Sequence, residues 1–447
     1  MKLYRLQQHI KILFVSCFLL SHAAYAEGLK FDITGGHVQP IPLAIAGFHP
    51  LDEGSRQVSQ NVLQVIQTNF QHDGYFKFIE PHNYPQSASS LLARKLFSSW
   101  RKIDCQAIVY GTTQTQSDGR IRIQYEVWDV DSGQRIAGTA LYSIQKNWRR
   151  IANIISDKIY KDLTAIDGYF DSRIVFVSES GNVKGKKQLA LIDQDGANIR
   201  YLTSGHQLVS TPRFSHKFDK IAYVQFIGRK PHVFTMNPIT LQKRKIGNFP
   251  GITFAPRFSP DGKKIILSHA HNGNTDIYEV DLASNRTKRL TRNLAIDTSP
   301  SYSPDGTKIV FESDRGGQEG DQQIYVKDLV TESIKRISFG NGRYATPVWS
   351  PTGKLIAFTK MHRGSFYIGV MRPDGSGEKI LAQSFHVEGP SWSPNGKVIT
   401  YFQKTKNDKN GNYSSQLFAI DINGLNRRKI PTPRNASDPG WSGHLPH

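Results

Sequence analysis

Short apolar runs recur through the C-terminal two-thirds of the chain, each bounded by Gly, Asp or Asn. Lys264–Ser268 and Lys308–Glu312 follow tight turns, second runs follow at Asp276–Leu282 and Gln323–Leu329, and third runs end in Lys-Arg-Leu-Thr or Lys-Arg-Ile-Ser. Ahead of each set stands the phrase Pro-x-aromatic-Ser, beginning at Pro212, Pro256, Pro300, Pro347, Pro390 and Pro439, with spacings of 44, 44, 47, 43 and 49 residues. A period of about 40–50 residues belongs to propeller blades and to some helical arrays. Runs rich in Ile, Val, Tyr and Phe, four to a repeat and separated by turn residues, predict strands. The three-and-four apolar spacing of helices is missing from them. The pattern predicts a six-bladed β-propeller over 168–447. Its closure is legible too. Residues 171–204 supply three strands with no motif strand before them, and the sixth phrase has no strands after it. Joined, the two pieces make one blade, which puts the chain end beside a first propeller strand at Arg173–Ser178.

The pattern changes upstream, between Ile41 and Asp167. Val58, Val62, Val65, Ile66 and Phe70 predict a helix over 52–69, and Ile151, Ile154, Ile155 and Ile159 predict another over 148–163. A shorter helix is expected at Leu91–Trp100, bearing Leu92, Leu96 and Trp100. Pro42–Phe48 is a compact apolar run, and strands are expected at 76–79, 107–111, 121–130 and 135–144. This is an α+β domain, helices on a small mixed sheet, assigned to 27–167 with Asp167-Gly168 at its boundary. Within it, residues 27–36 alternate and then stop at two glycines, so that Leu29, Phe31 and Ile33 share one strand face. Such a strand docks on its own domain or extends the sheet of a partner.

Residues 1–26 read as a signal peptide. Lys2, Arg5 and Lys11 precede the apolar run 12–20, and Ala24-Tyr25-Ala26 supplies the cleavage site, with Glu27 the first mature residue. The expected fate is export from the cytoplasm. Cys17 lies inside the apolar run and does not read as a lipid-anchor site. Cys105 is then the one mature cysteine, so no internal disulfide is expected, and its apolar neighbours predict a buried structural thiol.

The formal charge of +20 is uneven: residues 27–169 carry +1 and residues 170–447 carry +16. Much of the excess sits on the last run of each repeat, at Lys243, Arg244, Lys245, Lys288, Arg289, Lys335, Arg336, Arg427, Arg428 and Lys429. That run is the outer edge of a blade, where charge blocks strand addition, so the basic balance does not call for nucleic acid. No nucleophile elbow, zinc helix, phosphate loop or dinucleotide fingerprint is found. His269 and His271 are expected in a solvent-facing loop between two strands. Asp193-Gln194-Asp195-Gly196 is read as a turn rather than a calcium loop. The connectors into successive blades differ from copy to copy while the Ser-Pro-Asp-Gly turns repeat, which places recognition on the connector face. A rim of Lys184, Lys186, Lys187, Arg229, Lys230, Arg363, Lys404, Lys406 and Lys409 there favours an acidic partner.

Together the signal peptide, the Trp100 and Trp148 helices, the phrase Asp167-Gly168-Tyr169-Phe170 and the six Pro-x-aromatic-Ser repeats resemble the TolB family of the Tol–Pal system. The resemblance covers essentially the whole mature chain. It departs in turn detail at Ser215-His216-Lys217-Phe218, Thr352 and Asn395. It implies a monomeric, non-enzymatic periplasmic scaffold without cofactor or metal, not inserted in the membrane, that supports outer-membrane integrity and invagination at division. Its implied partners are the lipoprotein Pal and the inner-membrane-anchored TolA. By position in the motif, the implied Pal contacts are Ser210, Thr211, Ile252, Thr253, Ala255, Asp297, Thr298, Thr346 and Glu388. The implied TolA contacts are Leu29, Phe31 and Ile33. Two other readings stay open on the residues alone, a propeller that gates or assists a hydrolase or peptidase and a glycan-binding propeller.

Overall fold

The computed structural model describes residues 33–34, 37–180, 185–316, 321–406 and 413–446. The signal peptide, Leu29, Phe31, Lys184 and Lys409 lie outside them. Ile33–Thr34 is a two-residue strand paired antiparallel with His37–Val38.

Five strands form a mixed sheet in the order Phe76–Phe78, Ile41–Pro50, Ala107–Thr115, Arg120–Asp129 and Arg135–Ile144. The first two pairings are parallel and the last two antiparallel. Helices α1 (Arg56–Gln71) and α4 (Trp148–Thr164) pack against each other and against this sheet. The remaining helix differs from expectation. It is broken into α2 (Ala88–Ala93) and α3 (Phe97–Arg101), and Leu92 and Leu96 are exposed while Leu91 and Trp100 are buried. Gln86 explains the break. Its amide donates to Arg94 O at 2.8 Å and its carbonyl accepts from Leu96 N at 2.8 Å and Trp100 Nε1 at 3.2 Å. The contacts to Arg94 O and Leu96 N satisfy helix-end groups that a continuous helix would pair internally. Cys105 is buried and free, donates to Ala107 O at 3.2 Å, and has its thiol pushed up to about 12 by burial.

Six four-stranded antiparallel sheets make the propeller. Blade 1 spans Val209–Lys245, blade 2 Ile252–Arg289, blade 3 Asp297–Arg336, blade 4 Arg343–Ser384 and blade 5 His386–Ile430. Blade 6 is composite: Arg173–Glu179, Lys187–Asp193 and Arg200–Tyr201 are completed by Asn435–Trp441, the innermost strand, paired antiparallel with Arg173–Glu179. The expected closure is observed.

The repeated phrases make the blades cohere. In blade 2 Gly262 N donates to Ser259 O at 2.9 Å, and Asp261 accepts from Ser259 Oγ at 2.6 Å and Lys263 N at 3.0 Å. Gly262 holds φ +71°, which a side chain would resist. The aromatics wedge between blades as expected. Trp392 Nε1 donates to Val348 O of the preceding blade at 3.0 Å and Tyr302 OH to Glu279 of blade 2 at 2.6 Å, and Trp441 shares a buried cluster with Phe402 and Leu417 of blade 5.

One apolar core runs from the N-terminal sheet into the propeller. Val62, Ile155 and Tyr160 belong to the same buried cluster as Phe170, Phe176, Phe402 and Trp441. Polar contacts flank it. Gln194 Nε2 donates to Asn69 Oδ1 at 2.8 Å, Arg149 pairs with Asp193 and Asp195, and Arg173 pairs with Asp193 at 3.0 Å. The Asp193–Gly196 turn is thus a docking point for α4.

Candidate functional site

Every innermost strand carries a β-bulge at its repeated proline. The register shifts between Ser210 and Arg213, Phe254 and Arg257, Thr298 and Ser301, Ala345 and Val348, Glu388 and Ser391, and Ser437 and Gly440. The residue before each proline takes a positive φ: Thr211 +47°, Ala255 +47°, Ser299 +52°, Thr346 +47°, Gly389 +70° and Asp438 +52°. Local sterics push a pre-proline residue toward extended backbone, and they oppose the left-handed region for every residue but glycine. Six copies in one ring are therefore imposed by the propeller. Ala255 matches Ser299, not Thr298, which stands one place earlier in the bulge.

The bulges surround an acidic throat. Glu312 is buried and accepts from Thr298 Oγ1 and, at 2.7 Å, from Thr346 N. Burial holds its carboxyl above the usual range. Glu388 is pushed up to about 7, first by burial and then by repulsion from Asp438 and Glu312. Asp438 accepts from Thr211 N at 3.4 Å.

Around the throat the connectors present exposed apolar side chains: Leu208, Ile252, Leu294, Ile296, Phe339 and Phe385, from five of the six connectors. Leu294 is 98% exposed and Phe339 70%, so neither contributes to the core. Phe385 stacks on Tyr413, its ring centroid 5.9 Å away, which extends the apolar surface to the start of the strand Tyr413–Asp421. Outside them, Lys186, Arg229, Lys230, Arg363, Lys404 and Lys406 are exposed, and Lys187 pairs with Glu179 at 2.9 Å.

The residues singled out from the sequence divide in two. Ile252 stands on the apolar ring, and Ser210, Thr211, Ala255, Thr346 and Glu388 line the bulges at partial exposure. Thr253, Asp297 and Thr298 are buried in the walls. Thr253 Oγ1 accepts from Val233 N of blade 1 at 3.1 Å, and Asp297 pairs with Arg315. His269 and His271 correct the loop expectation. They end the strand Lys264–His271, with His269 buried against Phe249 at 4.7 Å, because the turn is made by Asn272-Gly273 just beyond. No cluster of three or more metal-ligating side chains occurs among the described residues. The sequence reading missed the left-handed ring and the exposed connector apolars. The small or polar residue before each proline, and lone Leu or Phe residues in polar connectors, were the available signals.

A family model described as the TolB beta propeller domain matches residues 160–445, and one described as the TolB amino-terminal domain matches residues 29–136. The chain belongs to the TolB family. The crystal structure of TolB from Acinetobacter baumannii is 29% identical, with a TM-score of 0.80, and the match covers 90% of this chain and 96% of that one. A structure of putative TolB from Agrobacterium tumefaciens is 18% identical over 60% of this chain and 91% of that one, with a TM-score of 0.47. As a TolB-family protein the chain is a component of the Tol–Pal system. TolB proteins are periplasmic, and no helix among the described residues is long and apolar enough to cross a membrane.

Proposed function

We propose that this TolB-family chain is a non-catalytic periplasmic scaffold linking TolA to Pal, exported by cleavage after Ala26. Pal docks on the connector face, over the bulges at Thr211, Ala255 and Thr346 and the apolar side chains around them. Residues 27–36 engage TolA, adding a strand through Leu29, Phe31 and Ile33. The linkage supports outer-membrane integrity and inward pulling at division. The observation that carries this reading is the ring of exposed connector apolars around a rigid, closed throat, a surface built for a protein rather than for a small substrate. Solvent-exposed apolar side chains gain free energy only when a partner covers them, at roughly 25 cal/mol per Å² buried. Pulldown from envelope extract tests it. The whole chain should retain both Pal and TolA, and deleting 27–36 should release TolA while keeping Pal. Retention of neither, or copurification of a hydrolase in their place, would overturn it.

A further inference from the structure

The other mouth of the channel, on the side of the Ser-Pro-Asp-Gly turns, holds a separate constellation. A cavity of about 380 Å³ is lined there by motif residues of all six blades, including Phe258, Trp349 and Trp392. Five of the six residues that follow the repeated prolines stand at this wall. Three are uncharged (Ser301, Val348 and Ser391) and two, from neighbouring blades, are Arg213 and Arg257. Arg213 Nη1 is held by backbone carbonyls, Pro212 O at 2.7 Å, Pro439 O at 3.3 Å and Asp438 O at 3.4 Å, and the Asp438 and Glu388 carboxyls of the throat offset part of its charge. The Arg257 guanidinium makes no hydrogen bond or ion pair among the described residues, and the charge acting on it is Arg213, of the same sign.

A guanidinium does not shed its proton in a protein, so Arg257 remains a cation with five donors unspent. Arg257 is half-buried in the wall of this cavity. A half-buried charge without a partner carries part of the desolvation cost of a buried one, and an anion supplied from outside offsets it. Two hydroxyls face the same space with their protons uncommitted among the described residues. Ser301 Oγ accepts from Trp349 N at 3.3 Å, and Ser391 Oγ accepts from Trp441 N at 2.9 Å. We propose that this cavity binds an oxyanion, a carboxylate or a phosphate, held bidentately by Arg257 with Arg213 adding charge and the two serines donating. The fork of a guanidinium matches both groups. Its volume is in the range of small-ligand pockets, and the aromatic and proline lining gives room for an apolar body attached to the anion.

Calorimetric titration of the purified chain at constant ionic strength tests it, using inorganic phosphate and a short peptide with either a free or an amidated C-terminus. Saturable binding at one site per chain is expected for at least one oxyanion, weakened roughly tenfold or more in Arg257→Gln. Phosphate binding alone would identify a phosphate ligand, and binding of the free but not the amidated peptide would identify a chain terminus. In anion-free buffer Arg257→Gln should melt at or above the parent, since an unpaired charge is gone. Should that variant fail to fold, Arg257→Lys keeps the charge but loses the fork, and the same weakening is expected. Heats no larger than those of a chloride control, or variants that bind as the parent does, would overturn the proposal.

Discussion

Each pre-proline residue of the inner ring holds a backbone conformation that costs about 1–2 kcal/mol outside glycine. At Thr346 the bulge turns the backbone N–H onto Glu312 and sets Oγ1 2.8 Å from Thr359 Oγ1, so local strain is offset by contacts that the throat requires. Ala255 takes the same φ with no large side chain, leaving space over blade 2. Ala255→Trp should therefore raise the rate of Pal dissociation about tenfold or more without lowering the melting temperature. Stopped-flow dissociation and a melting curve check both halves. Glu388 adds a pH effect. Its carboxyl titrates near 4.5 when exposed and at about 7 in the fold, so the folded state holds the extra proton between those values. Stability from this group is present at low pH and is lost as pH rises from about 4.5 through about 7. Asp73 and Asp157, both pushed to about 7 mainly by burial, act in the same direction. Melting temperatures from pH 5 to 8 should fall less steeply in Glu388→Gln than in the parent. Parallel curves would remove Glu388 from the account.

At the scale of elements, what could be read from the sequence depended on what each signal reports. Strand and blade boundaries were legible because Pro-x-aromatic-Ser and Asp-Gly act locally: proline and glycine set φ wherever they stand. The break between α2 and α3 was not, because Gln86 imposes it from outside the helix. Nor was the left-handed ring, since the pre-proline preference points the other way and only closure of the six blades overrides it. Of the implied contact residues, Ile252 and Ala255 reach the face, whereas Thr253 and Asp297 were indistinguishable from them by position and are spent on joining strands. Two elements carry predictions. Asp157, on α4, accepts from Phe170 N at 2.7 Å and Asp171 N at 2.9 Å and so fastens the segment between the two sheet systems. Asp157→Ala leaves both donors buried and should cost roughly 2–4 kcal/mol in chemical denaturation. Deleting 434–447 removes the innermost strand of blade 6 and unpairs Arg173–Glu179. The truncated chain should unfold well below the parent or fail to accumulate, and equal melting would contradict the closure.

Across the whole molecule, the two faces of the propeller differ in chemistry. The connector face has an acidic throat, an apolar ring and a basic rim, and the turn face has the arginine pair. The shared core with the N-terminal sheet ties both to a unit that ends in the segment proposed for TolA. Rim charges such as Lys404 and Lys406 steer encounter more than they hold a complex, and salt screens them. In the proposed docking, the apolar ring is the part that Pal covers. Calorimetric titration of purified Pal into the chain, beside a Leu294→Ser, Phe339→Ser, Phe385→Ser variant, tests this most directly. The account predicts one saturable site in the parent, affinity lower by roughly a hundredfold in the variant, and unchanged melting because all three side chains are exposed. Absence of binding in the parent, or equal affinity in the two proteins, would contradict it.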